Sequence, residues 1–287
     1  MPVQTVSSFN LPTDKVILTH PTGATCEIKT FGATVTSWKV HGQERLFLSR
    51  LSDLEGNKPI RGGIPLVFPQ FGKGPLMPGQ HGFARHSTWE YMGVSKDDDS
   101  EIMVSFELRD SDATRASGWP YHFKLTYLVT LTATTLGTHL AVTNTDKVPI
   151  RFTALLHTYL TTPDISQVRI GQLGRLNYTD KVQNNLICFE ERDQVTIQGE
   201  TDRIYHSTPD TVPVEVAPGQ VVNVKTINFR DTVVWNPWVE KAQAMADLDD
   251  QEYQQMICVE SGSVHESVTL PSSQTWEAGQ VLSVDSE

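Results

Sequence analysis

Long apolar runs are missing: none approaches the ~18 residues that a helix needs to cross a membrane. Cysteine is scarce. Cys26, Cys188 and Cys258 are odd in number, widely spaced and form no CxxC pair. That excludes a disulfide framework and fits reduced thiols in a cytoplasmic protein. Basic charge is short too: 23 Lys and Arg stand against 34 Asp and Glu, a formal net charge of −11. A nucleic-acid partner needs a basic face, so that class is set aside. The opening residues MPVQTVSSFN lack the cationic head and apolar core of a secretion signal, so no leader is expected. Walker, GxGxxG, GxSxG and HExxH signatures are absent. The nine histidines show no ligand spacing, so no metal site is expected.

What is there is β-rich. Short stretches of Val, Ile, Thr, Tyr and Leu recur between Gly and polar turns. Strands are expected at Val16–His20, Ala24–Lys29, Thr34–Val40, Arg45–Leu48, Ser87–Val94, Glu101–Leu108, Tyr121–Leu131, Thr138–Asn144 and Ile150–Leu160. The pattern continues at Gln167–Ile170, Gln194–Ile197, Val214–Val216, Val221–Asn228, Thr232–Trp235, Met256–Glu260, His265–Leu270 and Gln274–Val284. One helix is expected, Val239–Tyr253, introduced by Asn236-Pro237 and rich in Ala, Glu, Gln and Met. No repeat or composition shift divides the chain. The expectation is one all-β domain over 1–287, with a core from about 16 to 284, built as a large antiparallel sandwich or barrel. No apolar stripe demands a partner, so a monomer is expected.

One stretch breaks the strand pattern: RGGIPLVFPQFGKGPLMPGQHGFAR, Arg61–Arg85, with six glycines and four prolines. Such density marks turns and close backbone approaches. Ile64, Leu66, Val67, Phe68, Phe71 and Phe83 make it too apolar for a solvated linker. A rigid loop with an arginine at each end suits a small anionic or hydroxyl-rich ligand; a packed cover over one end of a sandwich is the alternative. Against a net charge of −11, any positive pocket must be local.

Within RFTALLHTYL, period-two alternation puts Arg151, Thr153, Leu155, His157 and Tyr159 on one face. His157 is either a core histidine bonded to a carbonyl or a proton-transfer group. In MICVESG, Met256, Cys258 and Glu260 share a face. A carboxylate ending an apolar run is either a site residue or has reached solvent. Facing one another, His157 and Glu260 would be an acid and a base without a nucleophile. Asp202, read as lying before a strand, either accepts from sugar hydroxyls or caps a turn. Trp235 and Trp238 offer an aromatic floor or ordinary core packing.

The motifs R-GGIPLVFP-FG, QHGFAR-STWE, ALLHTYL, TDR-Y, VVWNPW and CVE-G, in this order over nearly the whole chain, resemble the glucose-6-phosphate 1-epimerase family. These hexose-6-phosphate mutarotases belong to the aldose 1-epimerase, galactose mutarotase-like superfamily. The resemblance implies a large antiparallel β-sandwich and cofactor-free interconversion of the α and β anomers of a hexose 6-phosphate. It assigns His157 as general acid at the ring oxygen and Glu260 as base at the anomeric hydroxyl. It assigns Arg61 and Arg85 to the phosphate, Asp202 to a sugar hydroxyl, and Gln80 and His81 to the ligand. Gly79, His86 and Ser261, the last where some members have proline, depart from the pattern and bear on substrate preference. An epimerase of unphosphorylated hexoses and a non-catalytic sugar-phosphate sensor remain the alternatives.

Overall fold

The computed structural model describes residues 14–285 and the backbone of residues 3–6. The leader expectation and the extreme ends of the 1–287 domain therefore lie largely outside the described residues. Three antiparallel sheets make up the fold, as the resemblance implied. A five-stranded sheet runs in chain order from Val3–Val6 to Gln43–Glu44. One large sheet runs from Glu90–Asp97 at one edge, through Thr135–Asn144 and Thr275–Val284, to Arg169–Ile170 at the other. The second large sheet is ordered Leu186–Phe189, Asn177–Asp180, Thr201–Tyr205, Asp231–Asn236, Met256–Leu270, Ile150–Leu156, Leu66–Val67.

A single apolar cluster draws on all three sheets, for example Val16 and Leu18, Tyr127 and Leu282, Val234 and Val259. Alternation explains this: Phe123–Leu131 and Thr135–Asn144 bury every second residue. The strand Met256–Leu270 differs. Its first eight residues are buried on both faces, because Ile257 and Val259 enter the main core while Met256 and Cys258 pack into a second cluster with Tyr159 and Trp235. Arg61, Gln80, His81 and Arg85 of the Arg61–Arg85 stretch reach that second, outer face, while Ile64, Leu66, Phe68 and Phe83 enter the main core.

Several expected elements are redrawn. Met256–Glu260 and His265–Leu270 are one strand that runs through Gly262, where a Cβ would come within 3.0 Å of Leu155. The expected helix Val239–Tyr253 is Trp238–Gln243 followed by turns and a 3-10 segment, Glu252–Gln255. Three aspartates in four residues, Asp247, Asp249 and Asp250, favour side-chain bonds over helix. Asp249 accepts from the Gln251 N–H, and Asp247 pairs with Arg61. Arg45–Leu48 and Gln194–Ile197 contribute only isolated bridges, and Gln167–Ile170 shortens to Arg169–Ile170. A short helix, Asp112–Ala116, interrupts the expected connection after Arg109, capped by Ser111. Asp202 lies inside a strand, not before one.

The edge strand Leu186–Phe189 leaves Leu186, Ile187 and Phe189 exposed. The monomer expectation rested on the lack of such a stripe and loses that premise. Among the described residues, no helix is long and apolar enough to cross a membrane.

Two glycines let the Gly/Pro stretch lie against the sheets. At Gly63, φ +64°, a Cβ would sit 2.0 Å from the Val35 carbonyl oxygen; at Gly82, φ +66°, it would sit 2.1 Å from that of Phe68. Neither backbone neighbour is free to move, since Val35 O accepts from Ile64 N and Phe68 O from Phe83 N. Gly63→Ala and Gly82→Ala are each expected to lower unfolding free energy by about 3 kcal/mol or more, from left-handed strain plus the clash. Urea denaturation checks this; a loss under about 1 kcal/mol would mean the stretch relaxes freely.

Candidate active site

Antiparallel register builds the site. Leu155 faces Gly262 and Leu156 faces Ser261 across the pair Ile150–Leu156 and Met256–Leu270. The chain then leaves the ladder for two residues and returns in the same register, with Tyr159 facing Cys258. His157 therefore stands opposite Glu260, where the ladder is interrupted. The expected single strand Ile150–Leu160 is two strands, and His157 occupies the break rather than mid-strand. Its N–H donates to the Pro65 carbonyl at 2.9 Å, continuing the pairing of Leu155 and Leu156 with Val67 and Leu66 of the Gly/Pro stretch.

The neighbouring strands extend two rows across the outer face. Val233 pairs with Glu260, and Trp235 pairs with Cys258. Asp202 pairs with Trp235. The rows read His157–Glu260–Val233 and Tyr159–Cys258–Trp235–Asp202. Lys181 ends the second: its N–H donates to the Asp202 carbonyl at 2.8 Å, and Nζ lies 3.5 Å from the Asp202 carboxylate. Period-two geometry thus brings residues from positions 157 to 260 onto one patch.

The patch floors a cavity of ≈ 210 Å³ lined by Arg61, Gln80, His81, Arg85, His157, Asp202 and Glu260, among others. Every residue the resemblance assigned to the site lines it. Trp235 does as well, edge-on to His157 with centroids 5.8 Å apart. Trp238 does not; it packs on Tyr253. Phe71, Lys181, Lys241 and Met245 also line the cavity, and Tyr159 stacks on His157 at 4.7 Å. Of these, the sequence placed Phe71 in the apolar stretch and Tyr159 on the His157 face, without assigning either to a site. Lys181 and Lys241 are lone lysines on a polar background, with no pattern to single them out.

The pocket holds cations from Arg61, Arg85, Lys181 and Lys241 in a chain of net charge −11. Arg61 donates to the Tyr159 hydroxyl and to the Asp247 carboxylate, each at 3.0 Å. Burial works against its charge, but Tyr159 and Asp247 outweigh it and raise the guanidinium pKa. Arg85 has no carboxylate within ion-pair distance among the described residues and donates only to the Gln80 carbonyl, 3.0 Å away. Burial, with Arg61 adding to it, pushes Arg85 down to about 10. The Nε atoms of both arginines are buried without a partner. Unpaired buried donors are uncommon in finished proteins, and a bound anion satisfies them.

His157 Nδ1 lies 3.4 Å from Glu260 Oε1, without hydrogen-bond geometry. Nδ1 and Glu260 Oε2 are buried and unpartnered. Burial first, then Arg61 and Arg85, push the His157 imidazole well below its ordinary value. Burial and then Asp202 push the Glu260 carboxyl well above its own, against Lys181. Both directions favour uncharged groups, with the shared proton on Glu260. The assignment drawn from the resemblance, imidazolium beside carboxylate, holds the same number of protons in the other arrangement. His81, 5.8 Å from His157 edge to face, is also held neutral by burial and then Arg85.

Among the described residues, one set of donor atoms comes close enough together for a metal ion: His157, Cys258 and Glu260, mutually within 4.8 Å. The expectation of no ligand spacing missed it, because cross-strand register and not sequence spacing creates it. Burial keeps the Cys258 thiol protonated, raising its pKa well above the ordinary value. A cation would have to displace the thiol and carboxyl protons together, whereas proton transfer uses the carboxyl and imidazole as they stand.

The family model described as aldose 1-epimerase matches residues 14–283. The chain belongs to the aldose 1-epimerase family. A relative from Cenchrus ciliaris is 34% identical over 94% of this chain and 84% of its own length. One from Escherichia coli K12 is 29% identical over 88% and 84%. Both carry the name "Putative glucose-6-phosphate 1-epimerase". A solved "putative mutarotase" from Salmonella typhimurium superposes on this aldose 1-epimerase family member with a TM-score of 0.87, at 26% identity over 95% of this chain and 90% of that one.

Proposed function

We propose that this aldose 1-epimerase family member interconverts the α and β anomers of a hexose 6-phosphate, glucose 6-phosphate first among them. One observation carries the reading: an imidazole and a carboxyl face one another 3.4 Å apart on the floor of a pocket whose rim carries two arginines with unpartnered Nε donors. The names of the two relatives support the phosphate. The reaction needs one proton removed from the anomeric hydroxyl and one delivered to the ring oxygen as the C1–O5 bond breaks. Rotation about C1–C2 and closure on the other face reverse both transfers. Glu260 as carboxylate takes the hydroxyl proton and His157 as imidazolium protonates the ring oxygen; on closure each returns to its starting state. Nothing is oxidised and no group leaves. Asp202, half-buried beside Lys181, accepts from a ring hydroxyl, and Trp235 flanks the ring. The three free cysteines support a reducing, cytoplasmic setting, and the acidic balance supports a reading without nucleic-acid partners.

Exchange NMR on the anomeric protons tests the reading. Glucose 6-phosphate is expected to exchange anomers far faster with enzyme than in its absence, and glucose much less so. Equal acceleration of both sugars keeps the acid–base chemistry and removes the phosphate specificity. Binding of glucose 6-phosphate without acceleration would indicate a sensor on this fold.

A further inference from the structure

The two arginines at the rim reach His157 by separate routes. Arg61 donates to the Tyr159 hydroxyl at 3.0 Å, and the Tyr159 ring stacks on His157 at 4.7 Å and 13°. Arg85 is bonded to the Gln80 carbonyl; the Gln80 amide meets His81 Nε2 at 3.2 Å, and His81 stands edge-on to His157 at 5.8 Å. The charges that act on Glu260 are those of Asp202 and Lys181. The two guanidinium charges therefore act first on the acid.

We propose that the substrate's phosphate is an activator as well as a handle: by neutralising Arg61 and Arg85 it switches on the His157–Glu260 pair. This rests on the reading of the site as a hexose 6-phosphate epimerase. A phosphate carries about −1.5 to −2 charge near neutral pH, enough to cancel both arginines. Arg61 and Arg85 head the charges that hold His157 unprotonated, whereas neither is among the charges acting on Glu260. Cancelling them removes the largest charges that oppose a proton on His157 and so favours passing it from Glu260, the arrangement that ring opening uses; burial, the first cause of both shifts, is unchanged. The other groups facing His157 are Lys181, which adds to the arginines, and neutral His81 and Tyr159. Cys258 stays a thiol. None of these changes charge when a phosphate arrives. The sugar and the dianion need not be covalently joined for this to work.

The test supplies the two pieces separately. Anomer exchange of free glucose is followed with enzyme and rising phosphite dianion, and the rate at each concentration without enzyme is subtracted. Glucose 6-phosphate serves as the positive control. Phosphite is expected to raise the enzyme-dependent rate on glucose by roughly tenfold or more, saturably, within the range one correctly charged proton donor contributes. In parallel, the ring 15N signals of His157 are expected to move toward the imidazolium position as phosphite binds. Phosphite that competes with glucose 6-phosphate, yet leaves glucose at its basal rate and His157 neutral, overturns the proposal. So does glucose alone matching the kcat of glucose 6-phosphate. No enzyme-dependent exchange of either sugar overturns the epimerase reading itself, and the activation with it.

Discussion

Glu260→Gln is expected to lower enzyme-dependent anomer exchange of glucose 6-phosphate by roughly 10²–10⁴-fold while the protein stays folded, the range a positioned proton-transfer group supplies. The amide has the shape of the protonated carboxyl that burial favours, so neither volume nor charge changes there. What is lost is the capacity to accept a proton. His157→Gln is expected to act through the other half of the same cycle. Because the two groups pass protons in concert, the double variant should be little worse than the poorer single one. Exchange NMR gives the rates, a thermal melt reports the fold, and calorimetry with glucose 6-phosphate reports binding. Near-normal turnover in a folded, ligand-binding Glu260→Gln protein would remove Glu260 from the chemistry. Additive losses in the double variant would mean that the two residues act on separate steps.

His157 and Glu260 were visible in the sequence as separate oddities: a histidine among apolar neighbours and a carboxylate closing an apolar run. Their faces followed from period two. Their meeting did not, because register between strands about a hundred residues apart is set by the packed sheet and not by local sequence. The break at His157–Thr158 was equally hidden, since the Gly/Pro stretch keeps this segment paired on its other side, through Pro65 and Gly63. The arginines bounding that stretch were legible as a pair because the loop between them is too apolar to be free. Lys181 and Asp247 were not. Lys181 reaches the site through pairing with the Asp202 strand, and Asp247 sits in an acidic run that reads as a solvated face. That run also misled the helix assignment: its carboxylates dock on Arg61 and Arg50 instead of continuing a helical turn. The class of fold was robust because alternation over so many strands allows few other solutions.

Arg85→Met should move stability and activity in opposite directions. Arg85 carries a charge that burial and Arg61 both disfavour, with one carbonyl as its bonded partner. A base whose folded pKa lies below its ordinary value destabilises the folded state at every pH below the lower of the two. Here that lower value is about 10, so the full penalty is present at neutral pH. Met keeps the apolar stem and removes the charge, and a melt at pH 7 should show Tm higher by about 2 °C or more. The same change removes a charge-assisted donor to the phosphate, of the order of 1.5–3 kcal/mol. KM for glucose 6-phosphate should then rise roughly ten- to hundredfold, while the enzyme-dependent rate on free glucose should hold or rise, because one of the charges that keeps His157 unprotonated is gone. A pure binding handle would raise KM for the phosphorylated sugar and leave the rate on glucose unchanged. A lower Tm would make Arg85 a structural anchor through Gln80. Equal KM changes on the two sugars would take the phosphate away from Arg85. A stability gain joined to a phosphate-selective loss fits a site that keeps an unpaired cation for its substrate at the fold's expense.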